Sequence, residues 1–337
     1  MNEVQLFLGN IWFFIIGLIL VLYVVLDGFD LGVGILALLA CDEERRGTMM
    51  ASLGSVWDAN ETWLVVLGGA LFGAFPLVYA VALHALYIPI TLMIFGLIFR
   101  GVAFEFHDHA RRKAPWGVAF GAGSLIAATM QGLALGGIIS GISVVDGAFA
   151  GGIWDWLNPF ALLVAVGVVC GYALLGATYL ILKTGGELQA RSYQRARLAA
   201  WLMLAAAAGV TVWTPLQYAE VAQRWFSMPA MLYIGILPLA ATGAFVMLLR
   251  SLAQRRERAP FFWCLAIFLF SFAGLAVSLY PRLLPPDVAI ADAAASAKTL
   301  VFMLTGIGML LPVMMIYNGY QYLVFRGKVE SSGYGRE

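Results

Sequence analysis

Two carboxylates stand out in this sequence because they follow a long apolar run that begins at Leu8. Asp27 and Asp30 are three residues apart, so a helix presents them on one face. An acid at the centre of a bilayer costs about 2.5–3.5 kcal/mol, so the pair must face protein or water rather than lipid. Gly28 and Gly32 lie in the same stretch with the spacing that lets a second helix approach closely. A sheltered acidic pair beside a tight helix contact is therefore the first functional candidate. The alternative is that Asp27 only eases a break in the helix.

A second polar stretch, Trp57–Asp58–Ala59–Asn60–Glu61, opens the next apolar segment. Asp58 and Glu61 again share a helical face, and Trp57, which lies beside them, is expected to pack against a neighbouring helix. We predict that Asp58 lies near the cytoplasmic entrance, takes up protons there and passes them inward through water. The alternative is a polar helix start, which is worth about 0.3–1 kcal/mol through capping and the helix dipole. Glu61 is equally compatible with both interpretations.

One basic residue, Arg100, follows a long apolar run with no suitably spaced charge beside it. We predict that it pairs with a carboxylate, Asp30 or Asp58, or with an acidic group of a ligand. The alternative is that its side chain extends to the membrane interface.

Histidines are too few and too badly placed to suggest a redox centre. His107 and His109 flank an aspartate, but on a helix they point apart and no second cluster completes a metal site, so we predict a solvated loop. The third histidine, His84, lies at a helix junction rather than in the middle of a span, which leaves poor axial ligands for a haem. We expect no cofactor or metal to be bound by this chain.

The composition predicts an all-α, polytopic membrane protein. Hydrophobic residues make up 62% and charged residues 12% of the 337 residues, against about 25% charged in soluble domains. The mean hydropathy is +0.89. With short loops throughout, residues 1–337 are expected to form one integral membrane domain, and nucleic acid is excluded as a partner. We predict about nine transmembrane helices, as two groups of four plus one, at approximately 8–38, 57–80, 84–104, 117–139, 159–182, 197–217, 229–249, 260–280 and 299–325.

Basic residues are distributed asymmetrically between the two sides of these spans. The side that holds the gaps after odd-numbered spans carries 17 of the 20 lysines and arginines. Because positive charge concentrates in cytoplasmic loops, we predict the N-terminus outside and the C-terminus in the cytoplasm.

The motifs resemble those of a known family, subunit II of the cytochrome bd-type quinol oxidases. Asp27-Gly28-Phe29-Asp30-Leu31-Gly32-Val33-Gly34 resembles its first helix, Trp57-Asp58-Ala59-Asn60 its second and Phe99-Arg100 its third. The similarity covers essentially the whole chain. Since the chain is short for the family, it also looks like the shorter branch often described as cyanide-insensitive.

This resemblance implies a function in the bacterial cytoplasmic (inner) membrane. Such enzymes oxidise a membrane quinol and reduce oxygen to water, with haem b and haem d in subunit I. Subunit II pairs with subunit I as a heterodimer among membrane lipid and quinone, and a small accessory subunit is left open. Subunit II is thought to contribute a cytoplasmic proton path, and Asp30, Asp58 and Arg100 match charged residues of the family. We predict that Asp27 and Glu61, the neighbouring acids on the same two helices, also belong to this proton path.

Two other classes of function remain open from the residues. A proton-coupled secondary transporter would also place acids near a central site. A scaffold would use the same acids only to hold helices together, and it would tolerate acid-to-amide changes without loss of rate.

Overall fold

The computed structural model describes residues 3–40, 42–228, 230–330 and 333–334, so that Cys41 lies outside the described part. Helices dominate it, as the composition predicts. They are α1 (Glu3–Leu38), α2 (Glu43–Ala51), α3 (Trp57–Ala74), α4 (Pro76–Ala85), α5 (Tyr87–His109), α6 (Ala114–Ser140), α7 (Pro159–Lys183), α8 (Gly186–Gln217), α9 (Ala219–Phe226), α10 (Ala230–Ala253), α11 (Ala259–Leu279), α12 (Ile290–Ala293) and α13 (Ala297–Val324).

Short antiparallel strand pairs occur between some of these helices. They are β1 (Val144–Val145) with β2 (Ala148–Phe149), β3 (Arg282–Leu284) with β4 (Val288–Ala289), and β5 (Val329–Glu330) with β6 (Gly333–Tyr334). The first two pairs lie in the loops that follow α6 and α11. These loops contact each other, since the Ile142 backbone amide donates to the Pro285 carbonyl at 2.9 Å.

Eight helices of the described residues are long and apolar enough to cross a membrane. They correspond to eight of the nine predicted spans and confirm the all-α, polytopic membrane fold. The predicted second span, 57–80, is instead divided into α3 and α4 by a break at Phe75. Pro76 begins α4, where its missing backbone N–H costs nothing. The polar residues at the start of α3 lower its hydropathy. The orientation of the chain across the membrane stays a prediction.

Helix α1 is continuous from Glu3 to Leu38 and passes without interruption through Asp27 and Gly28. The interpretation of Asp27 as a residue that eases a helix break is therefore wrong. The reason is that α1 is covered on several sides along this stretch, by α3, α6 and α7. Helix α7 packs on both α1 and α6, α5 packs on α6, α8 packs on α7, α10 packs on α11, and α13 packs on α1 and α3.

Glycines bring α1 and α7 into backbone contact at the acidic end of α1. A Cβ atom on Gly32 would overlap the Tyr172 carbonyl, and one on Gly176 would overlap the backbone of Gly32 and Val33. A Cβ atom on Gly28 would lie 2.8 Å from the Tyr172 ring. Because only glycine permits this approach, the small-residue spacing of α1 determines where α7 lies.

The predicted solvated loop at His107 and His109 is wrong. Both residues belong to the last turn of α5, and the His107 side chain is only 3% exposed. Its Nε2 atom lies 3.0 Å from Oε1 of Glu43 on α2, and the same glutamate accepts from Arg46 at 2.6 Å. Helix α2 therefore covers the end of α5 and supplies the polar partner that the sequence pattern did not reveal.

Candidate functional site

The site begins with the close contact between α5 and α6, which positions Arg100. A Cβ atom on Gly123 of α6 would lie 2.5 Å from the Gly96 carbonyl oxygen and 2.9 Å from the Arg100 backbone nitrogen. The two helices are thus packed backbone to backbone at the turn that carries Arg100. From there its side chain reaches α1 and α3.

Arg100 forms ion pairs with two acids that the sequence analysis did not assign to it. Nη1 lies 2.5 Å from Oδ1 of Asp27, and Nη2 lies 2.8 Å from Oε2 of Glu61. The side chains of Arg100 and Asp27 are 2% and 0% exposed, while Glu61 is 28% exposed. The predicted pairing with Asp30 or Asp58 is therefore wrong, because the depth of α5 relative to α1 places the guanidinium beside the earlier of the two aspartates.

Asp30 has a neutral partner instead. Its side chain is buried, and Oδ2 accepts a hydrogen bond from Nδ2 of Asn60 at 2.9 Å. The Tyr322 hydroxyl on α13 donates to Oδ1 of the same Asn60 at 2.7 Å. These two bonds join α1, α3 and α13 around one carboxyl group.

Three buried polar atoms of this cluster have no hydrogen-bond partner among the described residues. They are Oδ2 of Asp27, Oδ1 of Asp30 and Nε of Arg100. Buried polar atoms are normally satisfied, so unpaired ones mark a place where a proton or a water molecule would be stabilised. Two of the three are carboxylate oxygens.

A further polar layer lies deeper along the same face of α1. The Tyr172 hydroxyl donates to Oε1 of Gln131 at 2.7 Å, and Nε2 of Gln131 donates to the Tyr23 hydroxyl at 2.6 Å. Tyr23 lies seven residues before Asp30, which is about 10 Å along a helix. The next buried residue on this face is Ile19, so the polar track along α1 ends at Tyr23.

Asp58 lies outside the buried cluster, at the protein surface in the first turn of α3. Its backbone carbonyl accepts from the Thr62 hydroxyl at 2.9 Å. Asp58 shares an exposed helical stripe with Thr62, Val65, Gly69 and Phe72. Glu61, one turn further along, links this surface to Arg100. The sequence spacing places both acids of α3 on one helical face. In the structure, only Glu61 contacts Arg100, and Asp58 lies at the surface.

Trp57 lies where α3 meets α5. Its ring is 3.6 Å from the position that a Cβ atom of Gly101 would occupy, and its centroid is 5.4 Å from that of Phe104. It therefore packs against the turn of α5 that follows Arg100 and helps to hold that turn beside α3.

The charges of the cluster determine its chemistry. Asp27 and Glu61 are ion-paired with the single guanidinium, and Asp30 lies one turn after Asp27 on α1, so full ionisation would leave an excess of negative charge in a region of low dielectric constant. An unpaired buried charge is expensive, whereas a protonated carboxyl group is not. The arrangement can therefore hold a proton and exchange it.

The three histidines lie away from the buried cluster. His84 packs against the Phe149 ring at 5.4 Å, His107 contacts Glu43 and His109 lies 3.2 Å from the Glu105 carbonyl. None of these contacts brings an imidazole to the buried cluster. Within the same ranges, no group of three or more His, Cys, Asp and Glu side chains could hold a metal ion.

The neutral members of the site, Asn60, Gln131 and Tyr322, are not among the residues predicted from the sequence. Gln131 carries a signal, since it is an amide inside an otherwise apolar helix and such groups need an internal partner in lipid. Asn60 lies between two candidate acids, which is also a signal. Tyr322 carries none, because α13 has tyrosines at 317, 320 and 322 and no sequence pattern distinguishes them.

Comparison with known proteins assigns the family. The model of the cytochrome bd terminal oxidase subunit II family matches residues 8–325. This chain belongs to that family. It is 30% identical over 366 residues to cytochrome bd-I ubiquinol oxidase subunit 2 of Escherichia coli strain K12, covering 95% of this chain and 94% of that protein. It is 29% identical over 340 residues to cytochrome bd ubiquinol oxidase subunit 2 of Bacillus subtilis strain 168, covering 96% and 97% respectively.

The fold is also found in a solved structure of a bd oxidase, that from Geobacillus thermodenitrificans. One of its chains superposes with a TM-score of 0.76 at 20% sequence identity, over 92% of this chain and 97% of that chain. The resemblance inferred from the motifs is confirmed. This subunit II is part of a cytochrome bd terminal oxidase, an oxidoreductase complex of the bacterial inner membrane.

Proposed function

We propose that the buried cluster is part of a proton path from the cytoplasmic side of subunit II toward the haem-bearing subunit I. The observation that carries this proposal is the environment of Asp30. One of its carboxylate oxygens is held by Asn60, and the other is buried without a donor among the described residues. A carboxyl group in this position can accept a proton and release it again without losing its place in the fold.

The three acids of the cluster take different parts in the proposed path. Asp27 is fully buried and ion-paired with Arg100, so it acts as the fixed counter-ion of the guanidinium. Glu61 is partly exposed and reaches the same guanidinium, so it connects the surface to the interior. Asp58, at the surface one turn before Glu61, is the entry, and Asp30 is the internal proton carrier.

The exposed position of Asp58 also supports the docking of subunit I on this face. A carboxylate that faces lipid is costly, so the surface stripe of α3 is expected to be covered by protein or to face water at the membrane interface. On the same helix, Cβ atoms added to Gly68 and Gly69 would have nothing within 4 Å, which leaves room for a partner helix to approach closely. Subunit II would thereby support subunit I and deliver protons to it.

The family implies haem b and haem d in subunit I and a quinol as the substrate. These groups would supply the electron transfer and the oxygen chemistry. Subunit II would contribute proton conduction, with uptake from the cytoplasm as the basic-residue asymmetry predicts. Assignment to the shorter, cyanide-insensitive branch and the presence of an accessory subunit stay predictions.

The test replaces each acid by its amide in the two-subunit oxidase. We expect Asp30→Asn to lower quinol-driven oxygen consumption by about 10²-fold, the lower end of the range for a positioned proton-transfer group. Asp58→Asn should lower it less, because water at the surface can partly replace an entry residue. The haem absorption spectrum should be unchanged in both variants.

The matched control is Asp146→Asn. Asp146 lies in the exposed turn between β1 and β2 with φ of 51°, a conformation that asparagine also tolerates. Wild-type oxygen consumption in both Asp30→Asn and Asp58→Asn would refute the path and favour the scaffold, in which the acids only hold helices together. The match of almost the whole chain to an oxidase subunit family leaves the transporter alternative without support.

A further inference from the structure

We propose that Tyr322 on α13 is a positioning residue for Asp30, acting through Asn60 to determine which carboxylate oxygen takes the proton. This inference rests on the proposed function and adds to it a residue from the last transmembrane helix, 292 positions after Asp30 in the sequence. Its basis is a pair of hydrogen bonds in series, each with a defined donor.

The first bond fixes the orientation of the Asn60 amide. The amide has one acceptor oxygen and one donor nitrogen, which point in opposite directions. The Tyr322 hydroxyl donates to Oδ1 at 2.7 Å, so the NH₂ group must face the other way, toward Asp30. Without this donor, rotation of the amide would present an oxygen to the Asp30 carboxylate.

The second bond fixes the role of each Asp30 oxygen. Oδ2 accepts from Nδ2 of Asn60 at 2.9 Å and is occupied by that donor. Oδ1 is buried and has no partner among the described residues. A proton arriving at Asp30 therefore forms its O–H bond at Oδ1. On departure that bond breaks and the carboxylate returns, and nothing is oxidised or reduced.

The Tyr322 ring is itself held in place by aromatic packing. It meets the Phe29 ring edge-on, with centroids 6.4 Å apart, and Phe29 stacks on Tyr179 at 4.3 Å. Phe29 directly precedes Asp30 on α1, so the same turn of α1 that presents the carboxyl group also fixes the tyrosine that orients its partner.

The end of α13 is anchored close to Tyr322. Lys183, the last residue of α7, donates to the Phe325 carbonyl, and its Nζ lies 3.5 Å from the Gly327 carbonyl oxygen. A cation at the C-terminus of a helix satisfies carbonyls that have no helical partner. The last turn of α13 is thus tied to α7, which stops Tyr322 from moving away from Asn60.

The experiment compares Tyr322→Phe with Tyr320→Phe in the two-subunit oxidase. Tyr320 lies on the same helix and is 64% exposed, so its variant controls for loss of a hydroxyl group from α13. The first readout is quinol-driven oxygen consumption. The second is infrared difference spectroscopy of the bands of the Asp30 side chain, which are assigned by their loss in Asp30→Asn. A merely structural role of the hydroxyl group would leave those bands unmoved.

We expect Tyr322→Phe to slow turnover by about 2- to 10-fold, as for the loss of one hydrogen bond. The KM for quinol and the haem spectrum should be unchanged, and the Asp30 bands should shift. Tyr320→Phe should match the wild type in every measurement. Unshifted Asp30 bands in Tyr322→Phe would overturn the inference, whatever the rate.

A second variant covers the case in which Tyr322→Phe does not assemble. Incorporation of 3,5-difluorotyrosine at position 322 almost preserves the shape and changes the donor strength of the hydroxyl group. The Asp30 bands should then shift as well, and unshifted bands would again overturn the inference. Failure of the proposed function is distinguishable, because Asp30→Asn would then turn over at the wild-type rate. Slow Asp30→Asn with unshifted bands in the Tyr322 variants would contradict only the role of Tyr322.

Discussion

The backbone contact between α1 and α7 makes a strong prediction for the substitution Gly32→Ala. The added methyl group would have to occupy the place of the Tyr172 carbonyl oxygen. A side chain can rotate away from such an overlap, but a helical carbonyl cannot, since it is fixed by the backbone hydrogen bonds of α7. The two helices must therefore separate at this turn.

The expected magnitude follows from that geometry. Overpacking a well-filled interior costs about 1–3 kcal/mol, and an obstructing backbone atom places Gly32→Ala at the upper end, about 3 kcal/mol. Gly17→Ala is the matched control on the same helix, because a Cβ atom there would have nothing within 4 Å. Since alanine is the better helix former by about 1 kcal/mol, Gly17→Ala should be neutral or slightly stabilising.

The assay is thermal denaturation of the detergent-solubilised oxidase, followed by loss of the monodisperse complex, together with turnover of the material that assembles. Gly32→Ala should melt at lower temperature than the wild type. It should also turn over about 10²-fold more slowly, because displacement of α1 by about 1 Å moves Asp27 and Asp30 relative to their partners. Equal melting temperatures for Gly32→Ala and Gly17→Ala would refute the reasoning, because α1 and α7 would then accommodate the added methyl group without loss of stability.

The remaining predictions concern charges inside and outside the membrane. Arg100→Gln leaves Asp27 buried without its counter-ion and should cost about 3–5 kcal/mol, seen as reduced yield of the assembled complex, and adding Asp27→Asn should restore part of that yield. A double variant that assembles no better than Arg100→Gln alone would contradict this. Near the C-terminus, hydrogen bonds from Lys328 and Gln189 lower the pKa of Glu257 below its ordinary value of 4.5. Because the folded-state pKa is depressed, the stabilising contribution is complete above pH 4.5 and is lost as the pH falls below it. The Lys328–Glu257 ion pair is exposed, so its loss should lower the protection of the amides of residues 325–330 against hydrogen exchange by at most about fivefold. This decrease should appear below that pH in the wild type and already at pH 7 in Glu257→Gln. A variant with wild-type protection at pH 7 would rule out this contribution.

Some of the site could be predicted from spacing alone. Asp27 and Asp30 must be sheltered because lipid cannot solvate them. Gly28 and Gly32 mark the place where a second helix can approach α1 most closely. These inferences need only the helical period and the cost of burying charge. The motifs around them were also sufficient to indicate the family.

The pairing of the charges could not be predicted in the same way. Asp27 and Asp30 share one face of α1 and differ by about 4.5 Å along its axis. Whether Arg100 meets the first or the second depends on how deep α5 lies, and that depth is determined by the contact of Gly96 with Gly123 on α6. The local sequence of α1 or of α5 does not indicate how deep one helix lies relative to the other.

The sequence by itself determined the membrane class, the helices and the presence of buried acids, because each of these follows from the transfer of residues between water and lipid. The tertiary structure alone decided that Asp27 pairs with Arg100 and that Asp58 lies at the surface. It also decided that Asn60 donates to Asp30 and that Tyr322 donates to Asn60. Those partners come from helices far apart in the chain. Their meeting depends on backbone contacts between helices, which have no periodic signature along the sequence.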